Sequence, residues 1–147
     1  MDRSKIIELV QRQLEINIEE INQALENYRS ASDLDESDTR DMEDFSQQSE
    51  NKELQLQMER QLENANDQLV RLQEFSDETT ETAGVGSLIE TDRNWFLLGV
   101  SLSSIPIGDK ELIGISVESP AFATINDKAK GDTISLGNNT YTILGIY

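Results

Sequence analysis

The sequence contains no cysteine and no histidine. Without cysteine the chain has neither a disulfide framework nor a thiolate zinc site, and without histidine it lacks the most common metal ligand and general base. Catalysis by Ser-His or Cys-His pairs is therefore excluded.

Long apolar runs are also missing. The apolar stretches are only a few residues long, far short of the roughly 20 residues that cross a bilayer, and no signal-peptide apolar core follows the first five residues. The composition, 36% hydrophobic and 28% charged, is that of a soluble domain. We expect a cytoplasmic protein that has no membrane partner.

Basic residues are scarce. The 12 Lys and Arg residues face 29 Asp and Glu residues, which gives a formal net charge of −17. Such a chain repels phosphate backbones. We therefore expect no independent binding to nucleic acid.

Glycine and proline are absent from residues 1–83, as long helices require. The charge divides in the same way, because residues 1–83 hold 22 acids and 8 bases (−14) and residues 84–147 hold 7 acids and 4 bases (−3). A boundary near Gly84-Val85-Gly86 follows. We assign residues 1–80 to one domain and residues 81–147 to a second.

Two seams of apolar residues run through the first domain at the three- and four-residue spacing of coiled coils. The first consists of Ile7, Leu14, Ile18, Ile21, Leu25 and Tyr28, and the second of Leu54, Met58, Leu62, Ala65, Leu69, Leu72 and Phe75. The spacing predicts helices over residues 4–29 and 39–76. Residues 29–38, rich in turn and capping residues, predict that the helices pair as an antiparallel hairpin.

The predicted turn is strongly acidic. Residues 33–44 hold seven carboxylates against the single base Arg40. One interpretation is a solvated helix start capped by Ser37 or Asp38, since carboxylates stabilise a helix N-terminus. The other is that hard carboxylate oxygens at the end of a stiff arm reach a Mg²⁺ held by another molecule.

The second domain has the pattern of short strands and turns. Strands are predicted at residues 86–90, 95–100, 111–117, 133–136 and 141–146, with a hairpin turn at Gly137-Asn138-Asn139. Ser119 and Pro120 predict the cap and first turn of a short helix. The fold class is α+β, with the helical hairpin followed by a small antiparallel sheet and one short helix. Trp95, Phe96 and Tyr141 are predicted to lie in its core.

Several short motifs, taken in order, resemble the Gre family of bacterial transcript-cleavage factors. Asp33-Leu34-Asp35-Glu36-Ser37 is similar to the Asp-Leu-x-Glu-Asn run of the Gre hairpin tip. Ser116-Val117-Glu118-Ser119-Pro120, followed by Asp127-Lys128 and Gly131-Asp132, is similar to a run in the Gre C-terminal domain. The resemblance covers nearly the whole chain.

The resemblance implies a C-terminal domain with an FK506-binding-protein-like (FKBP-like) fold that docks at the secondary channel of RNA polymerase. It implies that the hairpin tip enters the channel, where Asp33 and Glu36 help to hold the second Mg²⁺ of the polymerase and Asp35 and Asp38 support them. The chain would then bind no cofactor stably by itself, would contact the RNA 3′ end only indirectly, and would not itself be an enzyme. The implied partner-binding residues are Ser119, Pro120, Phe122 and Lys128.

The tip also departs from the Gre pattern. Gre factors continue with Asn-Ala-Glu-Tyr, whereas this chain has Ser37-Asp38-Thr39-Arg40. The direction of any effect on polymerase, stimulated cleavage or inhibition, is therefore left open. Two other classes are considered: a coiled-coil adaptor whose acidic arm is only a spacer, and a stand-alone Mg²⁺ hydrolase, which an exposed turn without a concave pocket does not favour.

Overall fold

The computed structural model describes the backbone of residues 2–35 and 42–147 and the side chains of residues 2–30 and 50–147. Its two long helices are α1 (Arg3–Asp35) and α2 (Met42–Gln73). They are followed by β1 (Leu88–Thr91), β2 (Trp95–Leu98), β3 (Ile105–Ile107), β4 (Lys110–Ile115), α3 (Pro120–Ile125), β5 (Thr133–Leu136) and β6 (Asn139–Ile146). The predicted order of a helical hairpin, a small sheet and one short helix is confirmed.

The first helix is longer than predicted. It continues past residue 29 to Asp35, because Ala31 and Leu34 favour a helix, Ser and Asp weaken it without breaking it, and no glycine or proline intervenes. The second helix ends at Gln73 instead of residue 76. There the amide of Glu74 is shared between the carbonyls of Val70 and Arg71, both at 3.2 Å, which is a tightened last turn.

The described residues form two compact units. One contains Met1–Val10 and Val70–Tyr147, and the other contains Gln11–Leu69. The first turns of α1 and the last turn of α2 therefore belong to the unit that holds the sheet.

In the unit of residues 11–69, the two helices meet along the predicted seam. Leu14, Leu25 and Ala65 are buried, and Arg29 of α1 lies 3.5 Å from a carboxylate oxygen of Glu59 of α2. In the other unit, Arg3 at the start of α1 donates to the carbonyl of Ser76, just after the end of α2, at 2.9 Å, as antiparallel pairing requires. Half-buried side chains complete the seam: Ile18, Ile21, Tyr28, Met58, Leu62 and Leu69.

The prediction that Leu54 lies in the seam is wrong. Leu54 is 41% exposed, whereas Asn51 and Gln55 are half-buried. The reason is register: steps of three and four residues back from Leu62 pass through Met58 and reach Gln55 and then Asn51. Leu54 lies outside this series, so polar side chains continue the seam there.

The sheet has six strands in the order β3-β4-β2-β1-β6-β5. The predicted antiparallel sheet is mixed in the structure: four strand pairs are antiparallel, but β2 and β4 pair in parallel, with Trp95 opposite Leu112. Between them the chain reverses direction twice, once into β3 and once through the two-residue turn Gly108-Asp109 that leads into β4. Strand β3 was not predicted, since Pro106 interrupts its pattern.

Strand β2 lies at the centre of the packing. All four of its residues are buried, so both faces of the sheet are covered at this strand. On one face Phe96 packs with Ile125 of α3, and its ring meets that of Tyr141 edge-on at 5.2 Å. Trp95 is 6% exposed and Tyr141 is 8% exposed, so the prediction that these aromatic residues belong to the core is confirmed.

The segment after α2 is fixed to the sheet within the same unit. A Cβ added at Gly99 would lie 3.1 Å from the Phe75 ring and 2.9 Å from Val85, and the φ of Gly99 is 105°. Only glycine combines that backbone conformation with so close an approach. The residues that follow α2 therefore pack directly against the end of β2.

Candidate functional site

The turn into α3 carries two of the predicted partner-binding residues. The Oγ of Ser119 accepts a hydrogen bond from the amide of Ala121 at 3.2 Å, which makes Ser119 the N-cap, and Pro120 is the first helical residue. Pro120 is exposed, whereas Ser119 is half-buried. The predicted cap is confirmed, and it presents the proline ring to the surface.

Phe122 has a structural role. Its side chain is half-buried and packs against the hydrophobic core cluster, next to the fully buried Ile125. Only part of the ring is accessible to a partner.

The chain reverses after α3 through a left-handed residue. Asp127 has a φ of 66°, which non-glycine residues adopt rarely. Its amide donates to the carbonyl of Ala83 at 2.8 Å, and the carbonyl of Lys128 accepts from the amide of Ala83 at 2.7 Å. The backbone of Lys128 is therefore fixed to the segment that precedes β1, while the side chain of Lys128 is exposed.

The carboxylate of Glu118, just before the α3 cap, has two partners. The hydroxyl of Ser116 donates to Glu118 Oε2 at 2.7 Å, and Arg71 of α2 lies 3.8 Å from Oε1. Chiefly through the Ser116 hydrogen bond, and also through the charge of Arg71, the pKa of Glu118 is lowered from its ordinary value. Glu118 therefore presents a negative charge beside the exposed Pro120.

Arg3 holds three segments of this unit together. Its guanidinium donates to the carbonyl of Ser76 at 2.9 Å and to that of Gly86 at 3.0 Å, and it lies 3.2 Å from a carboxylate oxygen of Asp77. The Arg3 side chain is only 13% exposed. These bonds connect the first turn of α1 to the residues that follow α2 and to the turn before β1.

The acidic residues predicted to reach a metal lie outside the described side chains. Asp33 and Asp35 fall within α1 by their backbone, and Glu36 and Asp38, like the predicted cap Ser37, lie among the residues that the structure does not describe. The role of these carboxylates stays a prediction. Among the described side chains, those of residues 2–30 and 50–147, no three carboxylates are grouped as a metal site requires.

The long-range partners Arg3 and Arg71 were not predicted from the sequence. Arg71 is 47 residues from Glu118, and Arg3 is 83 residues from Gly86. Neither pair has a local spacing that could reveal it. Glu118 itself lies in the motif used for the resemblance, and this motif was the only available signal for that position.

Comparison with known proteins gives low similarities. No protein-family model and no curated protein sequence matches the chain. Two solved structures are similar: GreA factor homolog 1 (Gfh1) of Thermus thermophilus, 17% identical with a TM-score of 0.35, and Gfh1 of Thermus aquaticus, 19% identical with a TM-score of 0.38. The first covers 97% of this chain and 93% of its own, and the second 92% of each.

None of the helices in the described ranges has both the length and the apolar character needed to cross a membrane.

Proposed function

We propose that this chain is a Gre-like regulator of transcription elongation, which docks on RNA polymerase through its sheet unit and directs its acidic helical arm to the polymerase active centre. The proposal rests on the order in which an acidic run, a second long helix and the turn into α3 follow one another along the chain. Asp33, Leu34 and Asp35 are the last residues of a helix of 33 residues, and Glu36 comes next in the sequence. A second helix of 32 residues follows, and then the turn with the exposed Pro120 in the sheet unit.

The chemistry of the tip fits a divalent metal shared with a partner. Carboxylate oxygens are the ligands that Mg²⁺ prefers, and Mg²⁺ usually binds one or two protein carboxylates together with phosphate oxygens and water. In two-metal phosphoryl chemistry such an ion stabilises the attacking and leaving oxygens. In this proposal Asp33 and Glu36 supply ligands, Asp35 and Asp38 maintain the negative field, and the polymerase supplies the remaining ligands.

The helices are suited to carry such a tip over a distance. At a rise of about 1.5 Å per residue, the 33 residues of α1 extend about 50 Å. Its partner helix has almost the same length, and a buried seam joins the two in the unit of residues 11–69. An arm of this kind is stiff enough to deliver two carboxylates to a site inside another protein.

Binding of the full-length chain to core RNA polymerase tests this function. We expect the proteins to co-purify, and we expect Pro120→Ala and Lys128→Gln each to weaken the complex without unfolding the chain, because both side chains are exposed. Lys52→Gln is the matched control, since it removes the same charge from an exposed position in the other compact unit.

Absence of binding by the wild-type chain would refute the proposal and leave the coiled-coil adaptor as the better account. Equal weakening by Lys52→Gln and Lys128→Gln would show that net charge, not the α3 surface, controls docking.

A further inference from the structure

We draw no further inference here: the strongest candidate, the polar cavity of about 250 Å³ that lies between residues 76–82 after α2, the turn before β1 and the Asn126-Asp127 turn after α3, is lined by hydroxyl groups and the exposed carboxylates of Glu78 and Asp127, and nothing in the structure shows what would occupy it.

Discussion

A pair of leucine substitutions in the helical hairpin distinguishes the observed seam from the one that the sequence pattern indicates. Leu25 is 3% exposed, and Leu54 is 41% exposed although its spacing suggested a seam position. Leu25→Ala removes buried methyl and methylene groups and leaves a cavity, which costs roughly 2–5 kcal/mol at a fully buried site. Leu54→Ala removes the same atoms from an exposed position on the helix surface, and we expect a cost below about 1 kcal/mol.

Both substitutions change helix propensity equally, so the difference between them reports packing alone. Urea unfolding followed by circular dichroism at 222 nm measures the helices, and fluorescence of the single tryptophan, Trp95, reports on the sheet unit. We expect the helix transition of Leu25→Ala to shift to lower urea by clearly more than that of Leu54→Ala. Equal shifts, or a larger shift for Leu54→Ala, would refute the seam register.

Three further predictions concern the sheet unit. Gly99→Ala should destabilise the fold by more than about 1 kcal/mol in urea unfolding, because its Cβ would lie 2.9 Å from a neighbouring side chain at a positive φ, whereas Gly84→Ala, with nothing within 4 Å, should be neutral or slightly stabilising. A carboxyl-carbon NMR titration should place the Glu118 midpoint below the ordinary value for glutamate, and Ser116→Ala should raise it. Because the folded-state pKa of Glu118 is the lower one, its small stabilisation is present at neutral pH and is lost as the pH falls through that value. Arg3→Met should cost about 1–3 kcal/mol, measured as a lower urea midpoint, since it leaves the carbonyl of the buried Gly86 without its donor.

Local signals were sufficient to predict the main elements. The seven-residue spacing of Leu14, Ile21 and Tyr28 predicted α1, and Ser119 followed by Pro120 predicted the start of α3 to the residue. The hairpin turn at Gly137 was found in the same way, since glycine supplies the positive φ of 61° that this turn requires. In each case a few neighbouring residues determine the conformation.

Features that depend on distant residues could not be predicted. The parallel pairing of β2 with β4 follows from two chain reversals and from the choice of neighbour, and no residue in either strand encodes that choice. The same is true of Arg3, whose partners are more than 70 residues away. At Leu54 a local signal gave a wrong prediction. Its spacing is compatible with the seam, but the register set by the rest of α2 places Gln55 in the seam instead.

The central claim is that the tip carboxylates lend ligands to a metal at the polymerase active centre. Asp33→Asn combined with Glu36→Gln keeps the size of both side chains but removes their charge, and an amide is a weak ligand for a hard cation. The measurement is RNA cleavage in backtracked complexes, together with nucleotide addition at limiting Mg²⁺, at equal occupancy of polymerase by the wild type and the double variant. We expect the wild type to change at least one of these rates and the double variant to lose that effect while binding equally. If both proteins bind and both alter the rates to the same extent, or if neither alters them, the tip lends no ligands and the claim is wrong.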